Sequence, residues 1–142
     1  MRLKKMMVSM GIAVPMFLIS AVSALAATRA SNVVINLPAN QIWTGNYASA
    51  RDYHTDHCVV KLISVYPLSG TDNFSKIQTR VLDDDGDNIM LSGEKYYVLT
   101  EGAEKYTSIM LKENHLNDAE VYFQFRGNSN SAAQAVVNYS GY

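Results

Sequence analysis

The sequence has 142 residues, 48% hydrophobic and 18% charged, with twelve Lys and Arg against thirteen Asp and Glu. Three of the cations lie within the first five residues, so the chain beyond residue 26 carries 9 − 13 = −4. An acidic chain without a basic stripe argues against nucleic acid or anionic lipid as the main partner. The single cysteine, Cys58, excludes an internal disulfide and with it a small disulfide-stapled framework.

Residues 1–26 read as a cleaved signal peptide. Arg2, Lys4 and Lys5 form a basic start, an apolar run follows, and Ala24-Leu25-Ala26 supplies small residues at both recognition positions. The competing reading is an uncleaved anchor, because the run is nearly long enough to span a bilayer. Ser9, Gly11, Pro15 and Ser20 weaken it. No cysteine follows the run to take a lipid, and the ending VVNYSGY has neither a hydrophobic nor a basic tail. The expectation is a secreted, extracellular protein without a stable membrane anchor, with residues 27–142 (142 − 26 = 116 residues) forming one domain.

Beyond the signal, period-two alternation dominates and predicts strands at 33–37, 41–44, 58–66, 76–82, 96–100, 106–111, 121–126 and 132–139. In the seventh, Val121, Phe123 and Phe125 take one face while Tyr122, Gln124 and Arg126 take the other. In the fourth, Ile77, Thr79 and Val81 oppose Gln78 and Arg80. Turn chemistry separates the strands: Leu37-Pro38-Ala39-Asn40, the Pro/Ser/Gly/Asp/Asn-rich stretch 67–73, Glu101-Gly102, and residues 127–130. Residues 45–57 form the longest irregular stretch, read as a surface loop. No long segment holds a helical period, so the expected fold is all-β, an antiparallel β-sandwich or a small barrel.

The sharpest chemical pattern is DDDGDNIMLSGE at 83–94. Asp83, Asp85 and Asp87 alternate and Glu94 falls at the twelfth position, as the oxygen ligands of a calcium loop do. Asn88 stands where such a loop needs glycine, strands rather than helices flank it, and Asp85-Gly86 is itself a hairpin signal. The acidic tip of a hairpin between 76–82 and 96–100 is therefore expected, with a weak cation site as the alternative. His54-Thr55-Asp56-His57-Cys58 offers zinc-type donors, but a zinc site needs three or four converging ligands and His115 is the only other histidine. Cys58 reads more simply as a small buried hydrophobe beside Val60 and Leu62. No nucleophile elbow is present, and no enzymatic activity, metal or cofactor is expected.

The aromatics are more informative. Trp43, Tyr47 and Tyr53 cluster in or beside the irregular stretch, and Tyr122, Gln124 and Arg126 form a row on one strand. Flat rings beside amide and guanidinium donors suit sugar rings or a protein surface. The competing reading is ordinary strand packing, for which tyrosine is favoured.

Several segments together carry a resemblance: Ala24-Leu25-Ala26, Leu37-Pro38-Ala39-Asn40, the Tyr/Arg-containing 47–53, the acidic hairpin, Thr100-Glu101-Gly102 before Tyr106, and Tyr139-Ser140-Gly141. In this order of features the chain resembles short uncharacterised secreted proteins of Gram-positive bacteria, some encoded near bacteriocin-type genes. The resemblance implies a small secreted β-rich protein and adds an antagonistic, bacteriocin-like role acting on a cell envelope as an alternative. The leading expectation is a non-catalytic binding domain for an extracellular glycan or protein. A further alternative is an assembly protein working by β-augmentation.

Overall fold

The computed structural model describes residues 29–68 and 74–142. The signal peptide read at 1–26 lies outside the described residues. Among them the chain forms eight strands: β1 Ala30–Leu37, β2 Tyr47–Ala50, β3 His57–Pro67, β4 Lys76–Leu82, β5 Tyr97–Thr100, β6 Thr107–Met110, β7 Glu120–Gly127 and β8 Ala133–Ser140. A single 3₁₀ turn at Glu113–His115 is the one helical element described.

The strands make two antiparallel four-stranded sheets, ordered β1-β8-β3-β6 and β2-β7-β4-β5. Neither sheet closes into a barrel, so β1, β6, β2 and β5 are edge strands. Inward side chains of both sheets merge into one cluster containing Ile35, Leu62, Ile77, Val81, Phe123, Phe125 and Val137. At its centre the Phe123 ring of β7 lies 5.0 Å from the Tyr139 ring of β8 across the inter-sheet space. Burying such side chains stabilises by about 1.5–3 kcal/mol each, and this core replaces the disulfides the chain lacks.

Period two accounts for most of this pattern. In β7, Val121, Phe123 and Phe125 are fully buried while Tyr122, Gln124 and Arg126 face outward at intermediate exposure. In β3, Cys58, Val60 and Leu62 point inward until the register slips between Leu62 and Ser64. After this bulge Val65 takes the inner face, so one extra residue reverses the parity of the strand.

Three expectations change. Residues 41–44 are not a strand: Asn40 and Gln41 adopt left-handed backbone at φ 63° and 56°, turning the chain before Trp43. Residues 45–57 are not a free loop, because β2 pairs with β7 along their middle. The 83–94 segment is not a plain hairpin tip. A tight turn carries Asn88 back to Leu82, and Ile89 and Met90 then plunge into the core at 0% exposure. Met90 also bridges to Leu111. Two apolar residues between two acidic stretches provide the driving force for that fold-back.

Candidate functional site

β4 and β7 each carry the triplet Gln-x-Arg: Gln78-Thr79-Arg80 and Gln124-Phe125-Arg126. Their antiparallel register sets Gln78 opposite Arg126 and Arg80 opposite Gln124. Thr79 and Phe125 point into the core, so all four polar side chains share the outer face. Directly opposed side chains on one face are the closest neighbours a sheet offers.

Hydrogen bonds follow from that register. Arg80 Nε donates to Gln124 Oε1 at 2.8 Å, and the Gln124 amide donates to Asn46 Oδ1 at 2.6 Å. Arg126 Nε donates to Gln78 Oε1, and the Gln78 amide donates to Asn128 Oδ1 at 2.7 Å. Two arginine–glutamine–asparagine relays thus run in opposite directions across the β4–β7 pair.

Trp43 ties the relays together. Thr44 N donates to the Phe125 carbonyl at 2.8 Å and Thr44 Oγ1 accepts from Phe125 N at 3.3 Å. Residue 44 therefore runs beside β7 just ahead of β2, which lays the Trp43 ring over the outer face. The guanidinium carbons of Arg80 and Arg126 both lie 4.4 Å from its centroid. Arg126 also lies 5.1 Å from the Tyr96 ring. Such stacking orients a guanidinium plane without consuming its terminal donors. Among the described residues every ion pair involves a histidine, so neither arginine has a carboxylate partner. Burial, and then the adjacent Arg126 charge, hold Arg80 below its ordinary value.

The opposite end of the β7 row is acidic. Tyr122 Oη donates to Glu120 Oε2 at 2.9 Å, and that hydrogen bond, with the carboxylate charge, pushes the phenol upward. Asp84, Asp118, Ala119, Glu120 and Tyr122 line a cleft of about 250 Å³. The face thus carries guanidinium groups on one half and carboxylates on the other, with Val98, 47% exposed and opposite Gln78, as an apolar member.

The candidates from the sequence are dispersed accordingly. Trp43, Gln124 and Arg126 meet on this face, and Tyr122 lies two residues further along the same row. Tyr47 sits in β2 with its ring edge-on to Phe125 at 5.7 Å and Tyr139 at 6.3 Å, consumed in packing. Tyr53 is exposed in the turn after β2, where Thr55 N donates to the Asp52 carbonyl. Arg80, Gln78, Asn46, Asn128 and Tyr96 were not singled out from the sequence. The repeated Gln-x-Arg triplet was the legible signal for the first two.

The metal-type patterns do not assemble. Asp83 Oδ1 accepts from Asp87 N at 2.7 Å and so caps its own turn, while Asp85 and Glu94 are exposed. His54 pairs with Asp52 and His57 with Asp56, each at 2.9 Å; Asp52 is lowered first by the His54 backbone N–H and then by its ring, and Asp56 by the His57 ring. Cys58 is fully buried, its sulfur 3.9 Å from Arg51 Nη1. Among the described residues no three His, Cys, Asp or Glu side chains converge where a metal ion could be held. No protein-family model matches this sequence, and neither a characterised protein nor a solved structure is found to be similar to it.

Proposed function

We propose that the protein is a secreted, single-domain β-sandwich that acts by binding, without catalysis, and holds an extracellular glycan or protein on the outer face of the β2-β7-β4-β5 sheet. One observation carries the reading: Arg80 and Arg126 are held rigidly by Trp43 and two glutamines, yet their terminal N–H groups have no protein acceptor among the described residues. A guanidinium is expensive to immobilise and gains little stability at a surface. Pre-ordered donors of this kind lower the entropic cost of taking a ligand. The cleaved signal read at 1–26 and the resemblance to secreted Gram-positive proteins support an extracellular setting.

The test is retention of the purified protein on immobilised cell-envelope polysaccharides and envelope proteins, repeated with Trp43→Ala after confirming that the variant folds. Truncating a central aromatic is expected to cost about 2 kcal/mol, near thirtyfold in Kd. Equal retention of wild type and variant would move the site off this face. A second reading, assembly by strand addition, is supported by β1, an eight-residue edge strand with Val34 56% exposed. Concentration-dependent oligomers lost on Val34→Pro would favour it. The antagonist reading is tested by growth inhibition of neighbouring species.

A further inference from the structure

We infer that the ligand of this face is an anionic polysaccharide, whose carboxylate, phosphate or sulfate groups are held by the terminal N–H groups of Arg80 and Arg126. The inference rests on the binding reading above and adds the chemical class of the ligand.

Two like charges share one indole, each guanidinium carbon 4.4 Å from its centroid. Nothing among the described residues neutralises them. An oxyanion seated on them relieves that repulsion and accepts paired N–H bonds, the fork geometry that arginine offers and lysine does not. The chain beyond residue 26 is acidic at −4 by the count above, so an anion is drawn by local guanidinium groups rather than by the net charge.

The neighbours of the pair select among polyanions. Asn46 and Asn128 close the two relays, giving amides beside the charge where hydroxyl groups would lie. Nucleic acid requires a basic stripe and ring faces free for base stacking, whereas the Trp43 ring already carries two guanidinium groups. A protein partner would also engage the Trp43 and Tyr96 rings, so the polyglutamate and envelope-protein arms of the experiment separate it from a glycan. Glu120 lies six residues or about 20 Å along β7 from Arg126 and four from Gln124, which Arg80 faces, so the arginine half is the one that suits anionic groups.

The experiment is affinity electrophoresis of the purified protein in gels containing polygalacturonate, wall teichoic acid, dextran sulfate or uncharged dextran, with polyglutamate as a peptide control. Retardation is expected with at least one anionic polysaccharide, identifying carboxylate, phosphate or sulfate as the group, and not with dextran or polyglutamate. Arg80→Gln and Arg126→Gln should each weaken binding about tenfold or more, the size of a charge-assisted hydrogen bond. Arg126→Lys should recover only part. Glu120→Gln should bind as well or more tightly, and Lys105→Gln, an exposed cation before β6, should be unchanged. Losses as large in Lys105→Gln would reduce the effect to general charge and overturn the inference. Equal retardation in dextran, abolished by Trp43→Ala, would overturn the anionic ligand while leaving the binding face. Stronger binding to polyglutamate would overturn the glycan. Retention on an envelope protein alone, lost with Trp43→Ala, would do the same and spare the face, whereas no Trp43-dependent retention on any probe would remove both.

Discussion

Arg51 and the Arg80/Arg126 pair are the same residue type in opposite situations. Arg51, just after β2, is 3% exposed and forms no ion pair with a side-chain carboxylate among the described residues, although its charge adds to the lowering of Asp52 and Asp56. Its Nη1 donates to backbone oxygens of His57, Gly141 and Tyr142, and its Nη2 to those of Thr55 at 2.7 Å and Leu116 at 3.5 Å. Nε alone is left without a partner among the described residues. On the open face the pattern inverts: Nε is bonded and the terminal nitrogens are not. Donors spent on backbone oxygens tie segments together, here β2 to the turn after it, the start of β3, the end of the 3₁₀ segment and the residues after β8. Donors left over beside a rigid ring are available to something else. The contrast separates a structural arginine from a recognition arginine by where the hydrogen bonds go, independently of burial alone.

The largest effect should come from removing the structural member. Arg51→Ala orphans several carbonyls and opens a void, and should lower unfolding free energy by about 3 kcal/mol or more in denaturant titration. Arg51→Lys should recover little, because one ammonium cannot reach carbonyls on four segments. A loss below about 1 kcal/mol would place Arg51 with the surface arginines.

Alkaline pH probes the same neighbourhood. Burial pushes the Cys58 thiol from 9.0 up to about 11, outweighing the opposing pull of the Arg51 charge. Burial also raises Tyr139. Both groups keep their protons longer in the folded state than in the unfolded one. The Cys58 contribution is therefore complete below pH 9 and falls as pH rises toward about 11, and that of Tyr139 is lost only at pH above 10. For Cys58 the loss reaches about 3 kcal/mol, and Cys58→Ala should flatten the profile in pH-dependent melts. A native thiol titration should find slow labelling that becomes fast in denaturant.

Gly141 is where the Arg51 clamp leaves no room. An added Cβ would overlap the Ala50 carbonyl oxygen and crowd the Ser49 carbonyl, both backbone atoms that cannot swing aside. Gly141→Ala should destabilise by about 2 kcal/mol in the same titration, and an unchanged midpoint would show the contact is loose. The smallest stability effect belongs to the open face. Arg80→Gln and Arg126→Gln should each cost about 1 kcal/mol, the size of the lost Nε bond and ring stacking, because their terminal donors contribute nothing to the fold. A stability loss near that of Arg51→Ala would erase the distinction.

Much of the fold was legible because strand periodicity is local. The alternation of Val121, Phe123 and Phe125 with Tyr122, Gln124 and Arg126 placed one set inward and the other outward, as observed. The same reasoning located β1, β3, β4 and β8 to within a few residues, since apolar residues two apart must share a face. Alternation also marked Gln78 and Arg80 as outward. It could not say that β4 lies beside β7 in the register that sets each arginine against a glutamine. Register and strand order arise from contacts between residues far apart in the chain, and the repeated triplet acquires meaning only once they are known.

Other features were decided entirely by the tertiary structure. Tyr47 and Arg51 looked like loop residues because a four-residue strand is too short to show a period. Pairing with β7 turned one into core and buried the other. Ile89 and Met90 were concealed by the acids around them, although their burial explains why the segment folds back. Trp43 was expected on a strand, but the left-handed turn at Asn40 and Gln41 and the Thr44–Phe125 pairing lay it over two arginines instead. Local alternation determined which side chains face out. Only the packing of two sheets against each other determined which of those outward groups meet, because a neighbour across a sheet is chosen by the whole core rather than by the residues beside it in sequence.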